Sequence, residues 1–170
     1  MVKKVIYFYE GETEKNLLKL LKNTNQIKTG RLEKINLWKN HFHKIIRKIN
    51  KTDELFFIVD TDDVVENEIF INNMRNLKTY NACFVFQCEN LEDELCFSCS
   101  KGDNKKLFGD FYKEKSSDKF KSKFKNDKNL SYVLTKNNFD FNNLWIRGNN
   151  FSSWLQKHSV KINVNCKYRL

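Results

Sequence analysis

The chain has 170 residues, a formal net charge of +10 and 40 % apolar residues, which suits one domain built around a single sizeable core. Its longest apolar runs are five residues, far short of the roughly 20 that span a bilayer. No apolar stretch of the signal-peptide kind follows the start, so the expectation is a cytoplasmic protein without a membrane partner.

In chain order, Val5–Tyr9 is an apolar run of the buried-strand type. Residues 13–22 set Leu17, Leu18 and Leu21 on one helical face, with Thr13 as the expected cap. Ile35–Trp38 is a candidate second strand, after which Trp38, Phe42, Ile45, Ile46 and Ile49 recur at helical spacing. Leu55–Val59 reads as a strand, residues 65–77 as a helix and Ala82–Phe86 as a further strand. The acidic segment 89–94 opens another helix, and helices are expected near 103–113 and 117–126. Residues 130–170 are ambiguous, with Tyr132–Leu134 and Lys161–Val164 as candidate strands. Fully apolar strands alternating with helices predict an α/β fold: a mainly parallel, Rossmann-like sheet with helices on both faces. Residues 1–100 would form the core, and 101–170 a basic C-terminal extension packed on the same domain.

Charge is unevenly spread. Residues 1–100 hold 15 basic and 15 acidic side chains, and residues 101–170 hold 16 basic and 6 acidic. Within KSSDKFKSKFKNDKN (115–129), Lys119, Lys121, Lys123 and Lys125 alternate with Phe120 and Phe124. Two phenylalanines four apart share one helical face, and the plain reading is a solvated helix with two core anchors. A neutral half rich in clustered acids joined to a basic half favours a bound polyanion. On that reading these four lysines and Lys136 contact nucleic acid.

Five cysteines, an odd number, suit a reducing compartment. Cys96 and Cys99 form one CxxC, but neither a second pair nor spaced histidines completes a zinc site. Free thiols are the expectation.

Two strand ends carry the chemistry. VIYFYEGETE (5–14) runs from an apolar strand into Glu10, Gly11 and Glu14, and LFFIVDTDD (55–63) runs into Asp60 and Asp62. In an open parallel sheet, functional groups gather beyond the carboxyl ends of strands. Asp60 and Asp62, two apart in extended backbone, point the same way. Converging carboxylates repel one another and raise each other's pKa values unless a cation sits between them, and all-oxygen donors suit Mg²⁺ or Mn²⁺. A Glu-Gly after a strand is by itself usually a turn, and a lone DxD is common in surface loops. Both behind apolar strands, in this order, point to a metal site.

YFYEGETE followed by FIVDTDD resembles the Toprim domain, the catalytic module of topoisomerases, primases and several nucleases. The EGxTE form is most similar to the RloB-like and OLD-type nucleases of bacterial phage defence. The resemblance covers residues 1–100. It implies that Glu10 is the family glutamate and that Asp60 and Asp62 are the metal-binding DxD, with Glu14 as the second glutamate. It also implies a further acid in QCENLEDEL (87–95), with Glu89 and Glu92 as candidates and Glu94 beside them. The implied activity is Mg²⁺- or Mn²⁺-dependent hydrolysis of DNA or RNA with one or two ions, Glu10, Asp60 and Asp62 being catalytic. A partner ATPase is common among small Toprim proteins, so the alternative is a latent or non-catalytic subunit that binds nucleic acid or such an ATPase. FIVDTDD also resembles the opening of haloacid-dehalogenase phosphatases, but Asp63-Val64 stands where that family carries Gly-Thr, and EGETE would then lack a role.

Overall fold

A computed structural model describes residues 3–62, 67–147, 151–163 and 170. Four strands form one parallel sheet in the order β2-β1-β3-β4, from β1 (Val5–Tyr9), β2 (Arg31–Lys34), β3 (Glu54–Val59) and β4 (Ala82–Phe86). The expected α/β class with a parallel sheet and helices on both faces is what the chain adopts. Side chains alternate across the sheet, as strand geometry demands. Phe8, Phe57 and Phe84 stack with near-parallel rings along one face, with centroids 4.5 Å and 5.1 Å apart. Tyr7 and Phe56 stack on the other.

Helix α1 (Glu12–Asn23) joins β1 to β2 and buries Leu17, Leu18 and Leu21 on the Tyr7 face. Helix α2 (Glu68–Leu77) joins β3 to β4 and buries Phe70, Met74 and Leu77 on the Phe8 face. The two crossovers run outward in opposite directions from the β1/β3 pair. With right-handed connections they must therefore cover opposite faces, which opens a crevice beyond the carboxyl ends of β1 and β3, the usual ligand position in such sheets.

Helix α3 (Leu91–Ser98), α4 (Asn104–Tyr112), α5 (Ser117–Phe124) and α6 (Leu130–Lys136) add a second layer on the Tyr7 face, burying Leu95, Leu107, Phe120, Phe124 and Leu134. Helix α7 (Phe151–Lys157) packs Phe151 and Leu155 on the other. Asn67, Asn90 and Asp103 cap α2, α3 and α4 by accepting from Phe70, Asp93 and Lys106 backbone N–H groups.

Several local expectations need correction. The second strand is Arg31–Lys34, not Ile35–Trp38, because an edge strand exposed on one side can be polar. Residues 36–39 instead turn around Asn36, whose Oδ1 accepts from the Trp38 and Lys39 backbone N–H groups. The apolar spacing at 42–49 yields two 3-10 turns, Phe42–Lys44 and Ile46–Lys48, leaving Ile46 45 % exposed. The N-cap of helix α1 is Gly11 rather than Thr13, whose hydroxyl donates to Glu14 Oε2. Tyr132–Leu134 is helical, since Leu130 and Leu134 supply an i, i+4 buried pair. Residues 161–163 lie beside β4, with Phe84 N donating to Asn163 O, but form no strand. Val164, Asp63-Val64 and the start of the expected 65–77 helix lie outside the described residues. Cys88, Cys96 and Cys99 are free thiols, whereas Cys83 is disulfide-bonded. No helix among the described residues is long and apolar enough to cross a membrane.

Candidate functional site

Because β1 and β3 pair directly, with Phe8 opposite Phe57, the residues that follow them emerge side by side. Glu10 leaves β1 and Asp60 leaves β3, and the Asp60 backbone lies close enough to the Glu10 carboxyl to favour its ionised form. On the far side of Asp60, Val59 pairs with Phe86, which brings Gln87 alongside. The Gln87 side-chain amide donates to Asp60 Oδ1, while its Oε1 accepts from Trp145 Nε1 at 3.2 Å. Gln87 is fully buried, so this orientation is fixed from both ends.

Thr61 ties the DxD loop to the end of β4. Its Oγ1 donates to Gln87 O at 2.6 Å, and its backbone N donates to Glu89 O at 2.7 Å. Asn36 approaches from the β2 side and donates from Nδ2 to Glu10 Oε2 at 2.6 Å. Glu10, Asp60 and Asp62 line one cavity of about 390 Å³ with Asn36, Trp38, Lys39 and Asn67.

The electrostatics reflect this crowding. Burial pushes the Glu10 carboxyl up to about 8, helped by the charges of Asp60, Glu14 and Asp62 and opposed by the Asp60 backbone N–H. Burial likewise pushes Asp60 up to about 7, with Glu14, Asp62 and Glu92 adding to the rise and the Gln87 amide opposing it. Glu92 is raised by burial and by Glu14, against the pull of Lys121. Glu10 Oε1 and Glu92 Oε1 are buried without a hydrogen-bond partner. Glu14 is itself buried, and a Cβ on Gly11 would lie 2.5 Å from Glu14 Oε2. Glycine at this position therefore leaves the space that the Glu14 carboxylate occupies.

Of the sequence candidates, Glu10, Glu14, Asp60, Asp62 and Glu92 thus act on one another. Glu92 also carries an ion pair, 3.5 Å from Lys121 Nζ of α5. Glu89 is exposed, in left-handed backbone at φ 62°, and meets the DxD loop through its main chain. Glu94 is fully buried and already engaged: it accepts from the Cys88 and Trp145 backbone N–H groups and pairs with Arg147 at 3.4 Å. Lys119, Lys121, Lys123, Lys125 and Lys136 are exposed, while Phe120 and Phe124 anchor α5 in the core. Lys123 is partnered by Glu114 at 2.7 Å. Asn36, Trp38 and Gln87 were not foreseen as site residues. Their one signal in the sequence is a position just past strands that carry acids at neighbouring ends.

Among the described residues, no group of three or more His, Cys, Asp or Glu side chains is closed around a point where an ion would sit. The donors nonetheless fit a hard divalent cation. They are carboxylate oxygens, one of them buried and unpartnered on Glu10, and Mg²⁺ is usually held by one or two carboxylates, water and substrate phosphate rather than by an all-protein cage. Comparison of the chain with protein-family models, curated proteins and solved structures finds no match.

Proposed function

We propose that this protein is a metal-dependent nuclease of the Toprim type, hydrolysing phosphodiester bonds in DNA or RNA. The observation that carries the reading is the convergence of half-buried Glu10 and Asp60 at the ends of two neighbouring parallel strands, each held by a neutral amide rather than by a cation. Carboxylates so placed are costly to ionise, and a divalent ion relieves that cost.

Asp60 and Asp62 would hold Mg²⁺ or Mn²⁺, with Glu10 and Glu14 beside them and Glu92 as the further acid. Such an ion, when bound, polarises a phosphoryl oxygen and stabilises the leaving oxyanion. Glu10 would either ligate the ion or exchange a proton with the attacking water or the leaving group. Gln87 and Asn36 keep the two acids oriented. Lys119, Lys125 and Lys136 supply sequence-independent attraction for backbone phosphates. A role in phage defence rests on the motif resemblance alone.

The Lys121 contact on Glu92 favours a second reading, a latent or non-catalytic subunit that binds nucleic acid or a partner ATPase. The test is cleavage of single- and double-stranded DNA and RNA with Mn²⁺ or Mg²⁺. Activity abolished by Glu10→Gln and by Asp60→Asn supports the nuclease. Metal binding without turnover, or turnover only on adding a partner ATPase, supports the latent subunit. Full activity in both variants removes these residues from the chemistry.

A further inference from the structure

The cavity beside the acids has one aromatic wall, and that wall is unusually well braced. Trp38 stacks one face on Phe70, with ring centroids 3.8 Å apart and planes 9° from parallel. Phe151 and Trp154 meet it edge-on at about 6 Å. Its Nε1 donates to Asp60 O at 3.1 Å, so the indole is joined directly to the main chain of a proposed metal-binding residue. Its backbone N donates to Asn36 Oδ1 and its carbonyl accepts from Asn67 Nδ2. Yet Trp38 is only half-buried, and what remains open lines the same cavity as Glu10, Asp60 and Asp62. An indole with its ring N–H satisfied and its rotamer locked is a preorganised apolar surface.

We propose that this cavity takes one unpaired nucleotide next to the scissile phosphate, its base packed on Trp38 and its phosphate turned toward the carboxylates and Lys39. The inference rests on the nuclease reading and names the substrate form that reading left open. A base inside a duplex is stacked on both sides and offers no free face, whereas an unpaired base does. The cavity volume of about 390 Å³ lies in the range that encloses a small ligand. Lys39 is exposed at the rim, where a cation serves an anionic backbone. The two amides that line the cavity are pinned by their own partners, Asn36 by Glu10 and the turn, Asn67 by Trp38 O and the α2 cap, so neither is free to turn and follow the edge of a base. Recognition at this position is therefore by stacking, tolerant of base identity.

The test places the change in the nucleic acid. After the Mn²⁺-dependent cleavage site in a single-stranded oligonucleotide is mapped, abasic residues are introduced one at a time on either side of it, and kcat/KM is measured for wild type, Trp38→Phe and Trp38→Leu. One abasic position should slow wild type and Trp38→Phe by about tenfold or more and leave Trp38→Leu indifferent, and the matching duplex should be cut more slowly than the single strand. Equal cleavage of abasic and intact strands by wild type overturns the stacking proposal while the nuclease reading stands. So does a full abasic penalty retained in Trp38→Leu. Absence of metal-dependent cleavage of any intact strand overturns the nuclease reading and the stacking proposal with it. The wild-type comparison decides the matter even if Trp38→Leu fails to fold.

Discussion

Asn36 Nδ2 lies 2.6 Å from Glu10 Oε2 and donates to it from the turn that follows the neighbouring strand β2. A neutral amide thus orients the acid without cancelling its charge, whereas a lysine or arginine there would neutralise it permanently. The same logic holds at Asp60, where the partner is the Gln87 amide. Neutral holders, together with a buried Glu10 oxygen that has no partner, are what an acid awaiting a cation requires.

Replacing Asn36 by leucine removes the donor to Glu10 and the acceptor for two backbone N–H groups. Stability should fall by about 1–3 kcal/mol, and metal-dependent cleavage should fall further than stability explains. Urea denaturation and cleavage rates on the same preparation check this.

Without metal, stability should depend on pH in a definite direction. Glu10 is raised from 4.5 to about 8 and Asp60 from 3.8 to about 7 in the folded chain. Between those limits the native state holds protons that the unfolded chain has released, so stability falls as pH rises from about 4 to about 8. Glu10→Gln should flatten that fall and raise the melting temperature at pH 8 in EDTA. Mn²⁺ should raise the melting temperature of wild type at pH 8 by mass action and that of Glu10→Gln much less. Thermal melts at pH 5 and pH 8, with EDTA and with Mn²⁺, read both effects.

Gly11→Ala puts a methyl 2.5 Å from the present position of Glu14 Oε2. Gly11 has φ −119°, which any residue adopts, so the cost falls on the carboxylate and not on the backbone. The fold should survive with a loss of at most about 1 kcal/mol, while Mn²⁺ affinity drops. Isothermal titration with Mn²⁺ alongside a thermal melt separates the two.

The five lysines should not contribute equally to nucleic-acid binding. Lys121 and Lys123 lie in ion pairs with Glu92 and Glu114, so part of their charge is already answered. Lys119→Ala, Lys125→Ala and Lys136→Ala should each reduce the slope of log K against log salt by about 0.7–0.9, and Lys123→Ala by less. Binding titrations over a salt series give the slopes.

Much of the frame was legible because β1, β3 and β4 are five- or six-residue runs buried almost throughout, and such runs leave little choice of structure. The edge strand β2 lies four residues before the expected one because RLEK carries no apolar pattern. The 42–49 segment has helical spacing, yet Ile46 faces solvent and the chain turns twice instead. At the site, the acids announced themselves by charge. Asn36 and Gln87 did not, since a neutral amide beside a strand end looks like any turn residue until its partner is seen. Trp38 reads in the sequence as one of a helical set of apolar residues, and only the strand order β2-β1-β3 brings the turn after β2 to the acids.

The central claim is that Glu10 and Asp60 grip the same divalent ion, and the most direct measurement is anomalous diffraction from crystals soaked in Mn²⁺. The account predicts a peak within coordination distance of carboxylate oxygens of both residues, lost in Asp60→Asn. A peak that touches only one of them, or none at this edge of the sheet, would contradict it.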